Sequence, residues 1–428
     1  METLLVTLFI AGYAFIALEY RLRIDKAATA ILLGTVSWLV LLIFPAFSGS
    51  AFPQVEERLF SHVSEIAGIL FFLLGAMTIV EVVDSYEGFR FLLDLIRVRS
   101  VWGFFGLVTT LTFFLSAVID NLTATLIMVS LLQKAVPSSQ REARLLGASL
   151  IVISANSGGA WSPLGDVTTT MLWIRGCITE GFIVQRTFLP SLVSALIPFL
   201  VIGRFLRGIS ISAQAPSENS SIPRRVSLVV LILGVGGILS VPLQKYFLHV
   251  PPFLAMLLAM GTVWLATEIF YWRLRHQVEE PRHLRVTTAL EKIDIPALLF
   301  FLGILLAVAA LAEVGVLRWA AEALDRTLGS LDWTVFLLGL LSSVVDNVPL
   351  VAAAIEMYPL SSYPTDHRLW EFLAYAAGVG GNLLIIGSAA GVVAMGMEKL
   401  EFFWYVRRVS WIAFLGYAAG ALTYVALA

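Results

Sequence analysis

The chain has 428 residues, of which 59% are hydrophobic and 14% charged. Soluble domains carry about 25% charged residues, so the composition excludes an ordinary water-soluble fold and points to lipid as the solvent. A net charge of −2 argues against a nucleic-acid partner, and the single cysteine, Cys177, excludes an internal disulfide and a cysteine metal cluster.

Apolar runs recur from end to end, at 3–18, 27–47, 66–80, 187–203, 226–243, 251–271, 295–312 and 409–428. A run of about 20 residues crosses a hydrocarbon layer about 30 Å thick. These runs predict an all-α polytopic protein embedded in a lipid bilayer. The first lacks a basic flank and is followed at once by Glu19-Tyr20-Arg21-Leu22-Arg23. It therefore reads as a retained helix and not a signal peptide. The polar stretches 207–225 and 273–292 are the linkers, and the first falls near mid-chain.

At 115–127 the chain reads LSAVIDNLTATLI, and at 341–353 it reads LSSVVDNVPLVAA. The two segments align on Leu-Ser-x-Val-x-Asp-Asn at an offset of 226, which pairs Asp120 with Asp346 and Asn121 with Asn347. Keeping that offset sets Asn156 on Asn382, Ser162 on Ser388 and Gly165 on Gly391, in SANSGGAWSPLGD (154–166) and GGNLLIIGSAAG (380–391). Upstream, ILFFLLGAM (69–77) resembles LLFFLGILL (298–306). Repeated matches at polar and glycine positions inside apolar segments indicate internal duplication. The expected halves are 1–206 and 226–428, joined by a cytoplasmic linker at 207–225.

Lys and Arg placement sets the topology. If 101–133 and 331–357 are re-entrant hairpins, the loops near 21–26, 90–99, 134–144, 204–225, 273–292 and 399–408 share one face and hold 21 of the 28 basic residues. If both segments cross, the split is 14 to 14. The bias favours hairpins and about ten spanning helices, with both termini outside. Each half then has five spans, so the two repeats are inverted. Glycines and Pro163 predict two interrupted helices, at 145–175 and 369–397. Half-helix ends at such breaks commonly hold coupling ions.

A charged group at mid-membrane costs about 3 kcal/mol or more. Asp120, Asp166 and Asp346 are therefore candidate transport groups, with no Lys or Arg inside the apolar spans to pair with them. Asn121 and Asn347 are candidate caps or ligands, and Thr123 follows the first pair. Oxygen ligands suit a hard cation such as sodium, with Asp120 and Asp346 as its expected carboxylates. A carboxylate that holds a proton or a cation, but never both, couples opposite flows of the two. Glu81 and Asp84 share a helix face, Glu313 is a loose counterpart of Glu81, and His62 beside Glu65 can sense pH.

The runs SEIAGILFFLLGAMTIVEVVDSYEGF, SAVIDNLTATLIMVSLL, SANSGGAWSPLGDVTTTMLW, SSVVDNVPLVAA and LLIIGSAAGVVAMGMEKLEFFWY closely resemble NhaD-type sodium/proton antiporters. These belong to a superfamily with arsenite efflux pumps and divalent-anion/sodium symporters. The resemblance covers nearly the whole chain. It implies exchange of sodium or lithium for protons across a bacterial inner membrane by a homodimer, with these ions as substrates and no cofactor. It also implies Asp120, Asn121, Thr123, Asn156, Asp166, Asp346 and Ser388 as transport residues, and Glu81 as an ionisable helper. Two departures stand out: Tyr86 replaces a histidine common in the family, and Asn382 stands where a small hydroxyl residue is expected.

Two other superfamily activities compete, an organic-anion/sodium symporter and an oxyanion exporter. Aspartates at both hairpin tips repel anions and favour the cation. An intramembrane aspartyl protease using Asp120 and Asp166 is a more distant reading, and it leaves the duplicated Asp346-Asn347 unexplained.

Overall fold

The computed structural model describes residues 2–17, 24–44, 52–91, 100–206, 222–275 and 281–427. Within them the chain is helical. Most of the 207–225 linker lies outside the described residues, as do Arg21, Arg23, Arg97 and Arg99.

The first three helices are α1 (Glu2–Ala17), α2 (Lys26–Ile43) and α3 (Phe52–Ser85). Two short-arm units follow: α4 (Val101–Ile119) with α5 (Asn121–Ala135), then α6 (Arg141–Gly159) with α7 (Val167–Ile174). Next come α8 (Glu180–Phe205), α9 (Arg224–Leu248), α10 (Pro252–Leu274), the short α11 (Val286–Glu291), α12 (Ile295–Glu313) and α13 (Val316–Leu328). The last group is α14 (Leu331–Leu341), α15 (Asn347–Met357), α16 (Arg368–Gly380), α17 (Ala389–Glu398) and α18 (Trp411–Leu427). A helical turn and a π turn lead into α18 over 402–410.

Eight described helices are long and apolar enough to cross a membrane. They include α4 and omit α1, which has 16 residues, and the two broken helices, α6/α7 and α16/α17. This multi-pass chain matches the all-α expectation. The sequence count of about ten differs because length alone neither credits a broken helix nor discounts a hairpin arm.

Small residues let the long helices close. A Cβ on Gly34 of α2 would overlap the Gly303 carbonyl of α12, and one on Gly303 would overlap the Ala30 backbone. Lipid supplies no hydrophobic drive between helices, so close backbone approach and dispersion hold this pair. Trp38 adds a hydrogen bond across it, Nε1 donating to Leu306 O at 2.9 Å. Asp25 caps α2 through Ala27 N, and Asp294 caps α12 through Ala297 N.

The α4–α5 unit turns back on itself. Phe105 at the start of α4 and Leu132 near the end of α5 both flank Gly147. The second unit does the same with splayed arms. Arg368 binds Asp332 at the start of α14 at 2.7 Å, and Tyr358, just past α15, packs on Tyr363, itself against His367. Both ends of the excursion thus lie beside residues 363–368. The expected hairpins, 101–133 and 331–357, fall on these two units.

Each hairpin packs on a broken helix through glycine. A Cβ on Gly158 would overlap the Phe113 carbonyl, and a Cβ on Gly380 would overlap the Gly339 carbonyl. Phe113 and Gly339 keep the 226 offset, but Gly158 and Gly380 are 222 apart. Gly165 abuts Ser116 O and Gly159 O, while Gly387 abuts Ser343 O and Gly381 O, at 2.7–2.9 Å from the ideal Cβ. The constant-offset pairing is therefore corrected within the broken helices. Asp166 matches Ser388, Asn156 matches Gly378, and Asn382 matches Ala160. The four-residue loss falls between hairpin and break, where α16 has 13 residues against 19 in α6. Four residues are close to one helical turn, so the deletion preserves the packed face while changing the register.

Candidate functional site

Two loops in the middle of broken helices face the two hairpin tips. The first break, 160–166, follows α6 because Gly158 and Gly159 end it and Pro163 cannot continue it. It is walled by Trp161, which stacks near Phe113 (5.9 Å between centroids) and meets Phe188 edge-on (5.1 Å). The second break, 381–388, ends in Ser388, whose Oγ accepts from Gly391 N at 3.1 Å and caps α17.

Asp120 sits at the first hairpin tip with φ +74°, a left-handed conformation that is uncommon outside glycine. Its carboxylate holds the turn: Oδ1 accepts from Thr123 N at 2.9 Å and Oδ2 from Thr123 Oγ1 at 2.8 Å. The N-terminus of α5 thus begins on a carboxylate, which its unpaired N–H groups favour. Asp346 caps α15 in the same role through Val348 N at 3.1 Å.

The adjacent asparagines reach inward. Asn121 Nδ2 donates to Asn156 Oδ1 at 3.0 Å. Asn156 Nδ2 donates in turn to Asn382 Oδ1 and to Ser388 Oγ, both at 2.8 Å. One amide therefore links the first hairpin to the second break. Asn347 Nδ2 donates to Asp166 Oδ2 at 3.2 Å, and Thr168 Oγ1 donates to the same oxygen at 2.8 Å. That joins the second hairpin to the first break. Asp166 is 2% exposed, and Asn121, Asn156, Asn347, Asn382 and Ser388 are all buried.

The corrected register makes these contacts interchange. Asn156 touches Ser388 and Asn382; its counterpart Gly378 lies against Asp166 and Ala160, the counterparts of those two. An ideal Cβ on Gly378 would stand 3.3 Å from Asp166 Oδ2 and 3.2 Å from Ala160 Cβ. The amides of Asn156 and Asn382 thus have the small residues Gly378 and Ala160 as counterparts beside Asp166.

Asp120 and Asp346 have separate partners: the first holds Thr123, and the second caps α15 through Val348 N. Asp346 also lies 4.0 Å from Lys26 Nζ, and its backbone N–H donates to Tyr13 Oη at 2.9 Å. Lys26 opens α2, and its ammonium also lies 4.7 Å from the Phe300 ring centroid. The sequence reading found no Lys or Arg inside the apolar spans, and Lys26 stands just before the 27–47 run. Ser162 lies in the first break, where its Oγ accepts from Leu164 N at 3.3 Å.

The auxiliary groups stand elsewhere. Glu81 accepts from Lys292 Nζ at 2.8 Å, and Asp84 is exposed. Glu313 accepts from Arg58 at 2.6 Å and meets His62 Nε2 at 3.1 Å. Tyr86 is buried and donates to Thr267 O at 2.9 Å. Sequence reasoning missed Glu371, which is 1% exposed with neither carboxylate oxygen hydrogen-bonded. The available signal was a lone acidic residue in RLWEFLAYAAG, which its place near a loop made look solvated.

A family profile described as CitMHS, citrate transporter, matches residues 13–380. Sodium/proton antiporter 2 of Arabidopsis thaliana is 40% identical over 98% of this chain and 98% of its own length. Sodium/proton antiporter 1 of the same plant is 41% identical over 100% of this chain and 72% of its own. The Na(+)/H(+) antiporter NhaD of Vibrio cholerae is 31% identical over 98% of this chain and 90% of its own.

Proposed function

The chain belongs to the NhaD-type ion-transporter family, and from that premise we propose that it exchanges intracellular sodium for external protons across its membrane. It is a secondary transporter and not an enzyme. The observation that carries the cation reading is the acidic, oxygen-rich pair of breaks, above all Asp166 held between Thr168 and Asn347. A carboxylate so placed binds a proton or a hard cation.

In this reading Asp166, Thr168, Asn347 and Asp346 form one half-site, and Asp120, Asn121, Thr123, Asn156, Asn382 and Ser388 form the other. Ser162 shapes the first break. Sodium, or lithium, displaces the proton from Asp166. Inward proton movement then drives sodium out, each net charge being worth about 2.3 kcal/mol per 100 mV. Glu81, Asp84, Glu313 and His62 tune the faces and stay apart from the ion.

The two halves, 1–206 and 226–428, are inverted repeats with both termini outside, in a bacterial inner membrane and as a homodimer. Contacts between loops support the grouping of loops onto two faces. Asp366 accepts from Thr179 N, and Thr365 donates to Gly176 O, on the face assigned outside. Arg144 binds Glu398, and Gln133 donates to Met397 O, on the face assigned inside.

The test is a pH-dye assay in membrane vesicles. Sodium added to energised vesicles dequenches the dye with the intact protein and not with Asp120→Asn. Absence of dequenching with the intact protein defeats the reading. The citrate-transporter description of the family motivates one rival, organic-anion/sodium symport. Sodium-dependent citrate uptake in the same vesicles would favour it over exchange.

A further inference from the structure

Glu371 opens α16 and is buried, yet neither of its oxygens has a hydrogen-bond partner. A carboxylate in that state is costly and calls for an explanation. The nearby cations are committed elsewhere. Arg186 of α8 donates to Leu427 O at 3.1 Å, and Arg368 binds Asp332 of α14 at 2.7 Å. Asp366 accepts from Thr179 of the 175–179 loop, and Tyr424 of α18 donates to Arg368 O at 2.8 Å.

Seven residues on, and therefore on the same helix face, Gly378 lies against Asp166 Oδ2. The two positions are about 10 Å apart along the axis. Hydroxyls lie on a neighbouring helix. On α8, which packs on both α6 and α16, Thr187, Ser191 and Ser194 are buried at i, i+4 and i+7. Thr187 Oγ1 donates to Ile183 O at 2.6 Å and lies 3.4 Å from Ala160 O, and Ser194 Oγ donates to Ser191 O at 2.7 Å and lies 3.0 Å from Ser157 Oγ, next to Asn156. Ser191 Oγ has no described partner. Tyr375, one turn after Glu371, lies beside Ser194.

We propose that Glu371 is a proton-relay group, carrying protons between the face of the 358–367 loop and Asp166 along the hydroxyl stripe of α8, apart from the cation route. This rests on the antiport reading. A hydronium ion on that face gives its proton to the Glu371 carboxylate and becomes water. The neutral acid passes the proton through the hydroxyls to the Asp166 carboxylate and returns to its charged form. No electrons move.

The experiment uses the full chain in proteoliposomes with two assays, proton-coupled sodium exchange read by a pH dye and radiosodium–sodium exchange at equal pH, which needs no proton transfer. Glu371→Gln is expected to slow the coupled exchange by about ten-fold or more and to alter its pH profile, with radiosodium exchange retained. Glu371→Asp is expected to recover part of the coupled rate. An unchanged coupled rate and pH profile, or parallel loss of both exchanges, overturns the proposal. If Glu371→Gln does not fold, Ser191→Ala decides: slowed coupled exchange with intact radiosodium exchange supports the relay, and an unchanged coupled rate overturns it. Failure of the intact protein to exchange sodium for protons at all would instead defeat the antiport reading.

Discussion

Asn347 Nδ2 stands 3.2 Å from Asp166 Oδ2, so the second hairpin donates to the carboxylate at the break of the first broken helix. The hydrogen bond joins the two halves of the chain at a buried acid. A hydrogen bond to a charged group contributes about 1.5–3 kcal/mol. Asn347→Ala is expected to raise half-saturating sodium roughly ten-fold, and Asp166→Asn to abolish coupled exchange. The dequenching assay across sodium concentrations checks both. Unchanged half-saturation in Asn347→Ala would remove the half-site from the mechanism.

Lys26 acts on the other carboxylate of that tip. Its ammonium lies 4.0 Å from Asp346, with both side chains partly exposed, so it would compete with a cation for that carboxylate. Lys26→Gln is expected to lower half-saturating sodium by about two- to five-fold, the range of a partly solvated ion pair. A higher value would mean that Lys26 supports the site instead of competing for it.

Asn156 joins three partners, Asn121, Asn382 and Ser388, and all four residues are buried. Its removal leaves buried polar groups unpaired, at about 1–3 kcal/mol. Asn156→Ala is expected to lower the unfolding temperature in detergent and the exchange rate together. A variant with wild-type stability and rate would show that the network is incidental.

Gly158 and Gly380 test the hairpin contacts. A methyl at either position overlaps a carbonyl of the adjacent hairpin. Backbone cannot yield as a side-chain end does, and overpacking costs typically 1–3 kcal/mol. Gly158→Ala and Gly380→Ala are expected to destabilise the protein similarly, while Gly396→Ala, which meets nothing within 4 Å, is expected to leave it unchanged. Thermal melts of the three variants compare them directly.

Burial pushes the Cys177 thiol in the 175–179 loop up to about 12. The thiolate is the nucleophile, so the raised value keeps Cys177 neutral and unreactive from pH 7 to 9. Maleimide labelling is expected only after denaturation. Rapid labelling of the native protein at pH 7 would show that the loop opens.

The sequence by itself determined the solvent, the helical class, the hairpins and the acidic residues at their tips. Composition, run length and the repeated Asp-Asn pair are local properties, and each has a direct physical consequence in lipid. Asp120, Asn121, Asp166, Asp346 and Asn347 were legible for that reason. The tertiary structure decided which of them meet. A constant offset paired Asn156 with Asn382 as repeat counterparts, but a one-turn deletion makes them partners across the site, because a helix shortened by about one turn keeps its packed face. Distance along the chain also hid Lys26, which stands 320 residues from Asp346 in sequence and 4.0 Å from it in space. It hid Glu371 as well, since burial by α8 and α18 is a property of packing that no local pattern records.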